Sequence, residues 1–208
     1  MTSDDSIFSL NETLGVIKER RSIRSFGKDE ISDEQIRILL QAGNEAPSAH
    51  NQQSWRFIVI RGEKKQQLAE MIVEGSSSFS KPSQALLRMS ARSIASAPVV
   101  IAVANSGDLI SHGTELFKVE KDLSYDFFRT MEIQSSAAAV QNLLLAATSL
   151  GLATVWLGIM FLMKDKVLEF LGEPDGEFMA IVPVGYASRT ANNGPSKLPL
   201  EMKVKYLD

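Results

Sequence analysis

Between Glu132 and Lys164 the chain carries no charged residue. A run of that length has two physical homes, a lipid bilayer or the interior of a protein. Its contents favour the second. Gln134, Ser135, Ser136, Gln141, Asn142, Thr148 and Ser149 would be costly in lipid, and Gly151 interrupts the run in its middle. The segment therefore reads as a buried helix over 131–150, capped by Gly151, and then a buried strand over 153–157. So long a hidden element needs other elements to hide it.

Those partners are legible along the rest of the chain. Leu10, Leu14 and Ile17 form an apolar stripe on a first helix ending near Arg20. Ser32-Asp33-Glu34-Gln35 is a capping-box pattern that opens a second helix running to about Gly43. Pro47 and Ser48 break the chain into a loop, and Trp55 to Ile60 is an aromatic and β-branched strand. A helix is expected over 64–73, a flexible loop over 75–78, strands over 98–103 and 178–184, and a helix over 164–171. Residues 105–129 are charged and irregular, with a short helix expected near 115–121. Helices alternate with strands that lack a polar–apolar alternation, which points to a sheet covered on both faces in the α/β or α+β class.

Composition narrows the function. At 208 residues with 44% hydrophobic content the chain suits one domain, here 1–208, with a Pro- and Lys-rich C-terminal arm over about 192–208. The net charge of −3 provides no broad field for nucleic acid or an anionic membrane. The absence of cysteine excludes disulfides, thiolate metal sites and a cysteine nucleophile. With no secretory signal in the first residues, a cytoplasmic protein is expected. No nucleophile elbow, Walker loop, dinucleotide fingerprint or zinc-protease motif occurs, and the two histidines, His50 and His112, are not spaced as metal ligands. An enzyme built this way would borrow its reactive centre.

Three segments could hold such a centre. Arg20-Arg21-Ser22-Ile23-Arg24 offers three guanidiniums and a hydroxyl suited to a phosphate dianion, although basic residues at a helix end also stabilise its negative pole. Pro47-Ser48-Ala49-His50-Asn51-Gln52-Gln53 offers amides that match the edge of a planar heterocycle, or a simple turn. In Gly151-Leu152-Ala153-Thr154-Val155-Trp156-Leu157-Gly158, Gly158 could present bare backbone to a ligand, or the whole segment could be core strand.

In this order, and together with Gln141-Asn142-Leu-Leu-Leu-Ala-Ala, the three segments resemble the nitroreductase family from about Thr13 to Pro199. The resemblance implies an α+β flavoprotein fold with a central mixed sheet flanked by helices, an intertwined homodimer, and FMN at the subunit interface. It places Arg20, Arg21 and Ser22 at the FMN phosphate and Arg24 at the N1/O2 edge, where a cation favours the anionic reduced flavin. Pro47, Ser48, Ala49, Asn51 and Gln53 would reach the flavin from the partner subunit. Leu157 and Gly158 would lie beside N5, and Lys197 near the phosphate. Ser54, Leu157 and Pro195 depart from residues common in the family, which are proline, an acid and a second cation respectively.

The activity implied is hydride transfer from NADH or NADPH, through flavin N5, to an electron-poor nitroaromatic, quinone or activated alkene. The mechanism would be ping-pong and need no catalytic side chain. Residues 62–96 and 105–129 match nothing in the family and would set acceptor choice, with His112, Tyr125, Phe127, Phe128 and Phe79 as pocket candidates. A specialised branch performing dehalogenation, flavin fragmentation or azoline oxidation is a second reading. A cofactor-free binding domain is a third.

Overall fold

The computed structural model describes residues 6–117, 120–189 and 197–207. Helix α1 (Glu12–Glu19) and helix α2 (Asp33–Asn44) precede strand β1 (Trp55–Ile60). Two helices, α3 (Gly62–Gly75) and α4 (Lys81–Ser96), lead to β2 (Val99–Asn105). Helices α5 (Asp108–Phe117) and α6 (Lys121–Ser149) lead to the short β3 (Ala153–Thr154). A 3-10 turn (Gly158–Met163), α7 (Lys164–Leu171) and β4 (Glu177–Gly185) follow.

The strands lie in the order β1-β2-β4-β3, and every pair of them is antiparallel. The parallel component expected of a mixed sheet is reduced to one bridge, Ser22 with Thr154. The reason is a count of helices. A single helix after β1 would return the chain for a parallel crossover. The second, α4, carries it back again, so β2 enters from the end where β1 left. Helix α4 is absent from the sequence reading because its serines look like loop. Two of them, Ser90 and Ser93, are 1% exposed and share the buried face with Leu87, Ala91 and Ile94.

Strand β2 is buried along its whole length. Val100, Ala102 and Ala104 face a core built with Leu68 and Ile72 of α3 and Leu87 and Ile94 of α4. Val99, Ile101 and Val103 face a second core with Ile36 and Leu39 of α2 and Val140, Leu143 and Ala147 of α6. A sheet covered on both faces has no polar side to display, which explains the missing alternation. The β2–β4 register slips between Val103 and Ala104. Met179 is thereby left as the extra residue of a bulge, and it joins Ala180 in the second core.

The uncharged run is a buried helix, as expected, and no helix among the described residues is long and apolar enough to cross a membrane. Gly151, at φ +71°, ends α6. Its N–H donates to Thr148 O at 3.0 Å and that of Leu152 to Ala147 O at 2.8 Å, the paired bonds of a Schellman cap. Several boundaries differ from expectation. Helix α6 starts ten residues earlier, at Lys121 instead of 131, and α5 occupies what reads as irregular chain. Of the expected 75–78 loop, Gly75 ends α3 and Ser76–Ser78 form a 3-10 turn whose Ser76 is buried. The strand expected over 153–157 forms a ladder only at Ala153 and Thr154, and Leu157 keeps a single bond to β4 before the chain winds into a 3-10 turn from Gly158. Helix α1 buries none of its residues, and Leu10 and Ile17 are exposed.

Helix α5 packs on α6 through Gly113, where an added Cβ would sit 2.4 Å from the ring of Phe128, a side chain with no exposed surface. An alanine inside a helix normally gains about 1 kcal/mol over glycine. Here the clash reverses the sign. Gly113→Ala is expected to destabilise the protein by about 1–3 kcal/mol, read as a lower urea midpoint at unchanged m.

Candidate functional site

The segment after α1 is stitched onto the sheet's β3 edge. Ile23 N–H donates to Thr154 O at 2.9 Å, and Phe26 bridges Ala187 just beyond β4. Arg24 O accepts from Ser93 Oγ of α4 at 2.9 Å. These bonds bring Ser22 beside Thr154, which precedes Leu157 and Gly158 by three and four residues. Leu157 is held by its N–H on Ile181 O at 2.9 Å, and a Cβ added at Gly158 would meet nothing within 4 Å. Bare backbone and a basic segment therefore share one edge. Arg20 is half-buried, and Ser22 and Arg24 are exposed. Arg21 Nη1 donates to the carbonyls of Lys18 and Arg20, which is the helix-end role. Arg24 Nη1 reaches Ser22 O at 3.5 Å.

The polar loop precedes β1 and is held in an unusual backbone conformation. His50, Asn51 and Gln53 have φ of 52°, 54° and 52°, a left-handed region that non-glycine residues seldom occupy. Local bonds enforce it. Ser48 Oγ accepts from Gln53 N–H at 3.1 Å, and Gln53 Nε2 donates to Asn51 Oδ1 at 2.9 Å. Ala49 N–H donates to Ser135 Oγ of α6 at 3.1 Å. Pro47, Asn51 and Gln53 are exposed, while Ser48 and Ala49 are half-buried.

The sheet holds these two polar groups apart. Strands β1 and β3 are its opposite edges. Thr154 pairs at the Val184–Val99 end, while Trp55 pairs with Asn105 at the other. Three strand spacings and about six residues of rise separate them, a diagonal of about 25 Å. Within one chain, the Arg20–Arg24 segment and the Asn51–Gln53 loop do not face a common small ligand.

The expected pocket residues are scattered. Phe128 is core packing beneath Gly113. Phe79 packs against the α3–α4 core and borders a separate small cleft with Gly75 and Met163. His112 is exposed on α5. Tyr125 stands at the rim of a cleft of about 650 Å³. Phe127 is about half exposed and edge-on to Phe128 at 5.0 Å. Lys197 is exposed, and Pro195 lies outside the described residues.

One buried acid escaped the sequence reading. Glu132 of α6 is 1% exposed. Its Oε1 accepts from Leu109 N–H at 2.7 Å, while Oε2 has no partner among the described residues. Burial pushes its carboxyl above the ordinary glutamate range. The charges of Asp108 and Glu177 add to that rise, and the Leu109 N–H and the nearby Ser54 hydroxyl, which falls outside hydrogen-bond geometry, oppose it. As the last charge before the uncharged run it reads as the end of a surface, and only the tertiary fold shows that it is interior.

Comparison with known proteins agrees with this architecture. The model of the nitroreductase family matches residues 17–186. A protein of Archaeoglobus fulgidus named as an NADH dehydrogenase/NAD(P)H nitroreductase is 32% identical over 181 residues, 85% of this chain and 86% of its relative. A nitroreductase from Desulfovibrio desulfuricans, solved in complex with FMN, superposes with a TM-score of 0.71 at 27% identity, covering 95% of this chain and 98% of that one. A nitroreductase from Desulfitobacterium hafniense with bound FMN gives 0.69 at 26% identity, covering 96% and 100%. The chain belongs to the nitroreductase family.

The Glu132 carboxyl holds its proton more tightly folded than unfolded, so its contribution favours the fold at low pH. That contribution is lost as pH rises past 4.5, its ordinary value, and through the raised folded one. Glu132→Gln keeps an acceptor for Leu109 and removes the charge. The variant is expected to melt about 2–4 °C above wild type at pH 7.5, roughly 1 kcal/mol for a chain of this size. The gap should close below pH 4.5. Thermal melts across that range check it.

Proposed function

We propose that the chain is an FMN-dependent oxidoreductase that takes hydride from NADH or NADPH and delivers it to a small electron-poor acceptor. The observation that carries this reading is the Ser22–Thr154 bridge. It sets the guanidinium-bearing segment beside the bare backbone of Leu157 and Gly158. Arg20 and Ser22 suit a phosphate, Arg24 a flavin edge, and the open side of Gly158 the close approach of a flat ring. Arg21, with Nη1 on two carbonyls, would offer the phosphate its Nη2 and Nε donors. The solved relatives named above hold FMN, and the residues here fit it.

When bound, FMN supplies the redox centre, accepting hydride at N5 and passing it on in a second half-reaction. The chain's own residues then bind and orient. Cations at the phosphate and the N1/O2 edge would stabilise negative charge there, and the open backbone at Gly158 would leave room for the ring. Because about 25 Å separates the amides of Asn51 and Gln53 from that edge, we assign them to the site of a second copy. Exposed apolar residues on α1 and on the C-terminal segment, among them Leu198, Leu200, Met202 and Leu207, suit a partner's surface. The reading is thus a homodimer of single-domain chains, each with an arm over about 192–208, acting in the cytoplasm. Phe117, tilted against the His50 ring with centroids 5.2 Å apart, and Phe127 would form an aromatic wall beside the polar loop for a planar acceptor.

The purified protein is expected to be yellow and to bleach anaerobically with NADH or NADPH. A colourless protein that ignores added FMN would overturn the reading. Arg20→Ala and Ser22→Ala are each expected to weaken FMN binding by about 1.5–3 kcal/mol, with riboflavin binding unchanged. Equal wild-type affinity for FMN and riboflavin would refute the phosphate assignment. Sedimentation should give a dimer, and a monomer retaining tight FMN would refute the role given to Asn51 and Gln53.

A further inference from the structure

The cleft of about 650 Å³ lies between α6, α7 and the turn before β4. Its walls include Tyr125 and Phe161, each about half exposed, at the rim, and buried Phe178 deeper in. Arg129 and Lys164 face four carboxylates, those of Glu132, Asp165, Asp175 and Glu177. Both cations are already engaged. Arg129 bonds Glu177, and Lys164 lies 2.7 Å from Asp165. The carboxylate excess therefore falls on exposed Asp175 and on Glu132, the one charged group here that is fully buried.

The structural bond to Leu109 accounts for only one oxygen of Glu132. One oxygen holds the N-terminal turn of α5 through Leu109, and the other, buried with the Ser54 hydroxyl nearby, meets no donor in hydrogen-bond geometry among the described residues. Close by, Ser136 one turn along α6 bonds Asn105 Oδ1, and Asn105 Nδ2 is also buried without a partner among the described residues. Buried polar atoms are almost always satisfied, and a carboxylate left half-satisfied costs stability. A costly group in the wall of a cleft is what a ligand anchor looks like before its ligand arrives.

We infer that this cleft binds a small organic cation, an amine or amidine carried on an aromatic body, with Glu132 as its buried anchor and the Tyr125 and Phe161 rings against its apolar part. An ammonium or amidinium would give Oε2 the donor it lacks and offset the carboxylate excess, and aromatic faces attract cations directly. The inference concerns a site other than the Gly158 edge and does not depend on the FMN reading.

The test is calorimetric titration of the protein as purified with benzylamine and with benzyl alcohol, its neutral counterpart. Benzylamine is expected to bind saturably, one per chain, at least tenfold more tightly than the alcohol. Glu132→Gln should remove that advantage and leave alcohol binding unchanged. Backbone amide shifts should move at Gly107 and Gly176, which line the cleft, with the flavin absorbance undisturbed. Equal binding of the two probes by wild type would overturn the inference. So would an amine preference that survives in a folded Glu132→Gln, amide shifts confined elsewhere, or displacement of flavin by benzylamine. Should Glu132→Gln not fold, the wild-type ratio and the shift map decide the matter.

Discussion

Everything described above hangs on one helix whose polar residues are pins. Helix α6 runs beneath the second face of the sheet, and along it Glu132 holds Leu109 of α5. Ser135 holds Ala49 of the polar loop, and Ser136 holds Asn105 at the end of β2. Asn142 reaches Ala42 O of α2 at 3.2 Å. Apolar burial supplies the driving force and says little about register, since one leucine packs much like another. A buried hydrogen bond is specific, because missing it leaves a group unsatisfied. Four such bonds fix the sliding and rotation of α6 against two helices, a loop and a strand.

That fixity governs the site. The loop over 47–53 rests on Ser135, and the Arg20–Arg24 segment rests on β3 and α4. The two are joined through a rigid sheet that keeps them at opposite corners. A single copy thus presents two polar groups at opposite corners of the sheet. A cofactor site formed between copies would link assembly to cofactor retention, and a weakened interface would show as lost cofactor before it showed as lost fold.

Much of this is written locally in the chain. The capping box at Ser32, the strand Trp55–Ile60 and the glycine cap at Gly151 each arise from neighbours within a few residues, and each lies where the pattern puts it. Helix α4 does not, because serine favours loops in isolation and helix only when a core covers it. The early start of α6 is hidden because its first turns are charged and aromatic, and Phe128 is buried only once Gly113 of another helix makes room. For the site, the basic segment, the amide loop and Gly158 are visible as motifs. Which edge of the sheet each occupies is a matter of topology, and the buried state of Glu132 depends on elements distant in sequence.

The left-handed run at His50, Asn51 and Gln53 has a consequence for the energetics of recognition. Each such residue costs on the order of 1–3 kcal/mol, a cost met during folding by bonds to Ser48 and Ser135. Chain entropy that a limp loop would surrender on meeting its ligand has therefore been surrendered already. Association at this loop should show little ordering penalty, with a correspondingly small unfavourable entropy and little delay for rearrangement. Stability is lowered in the free protein so that affinity is not lowered in the complex.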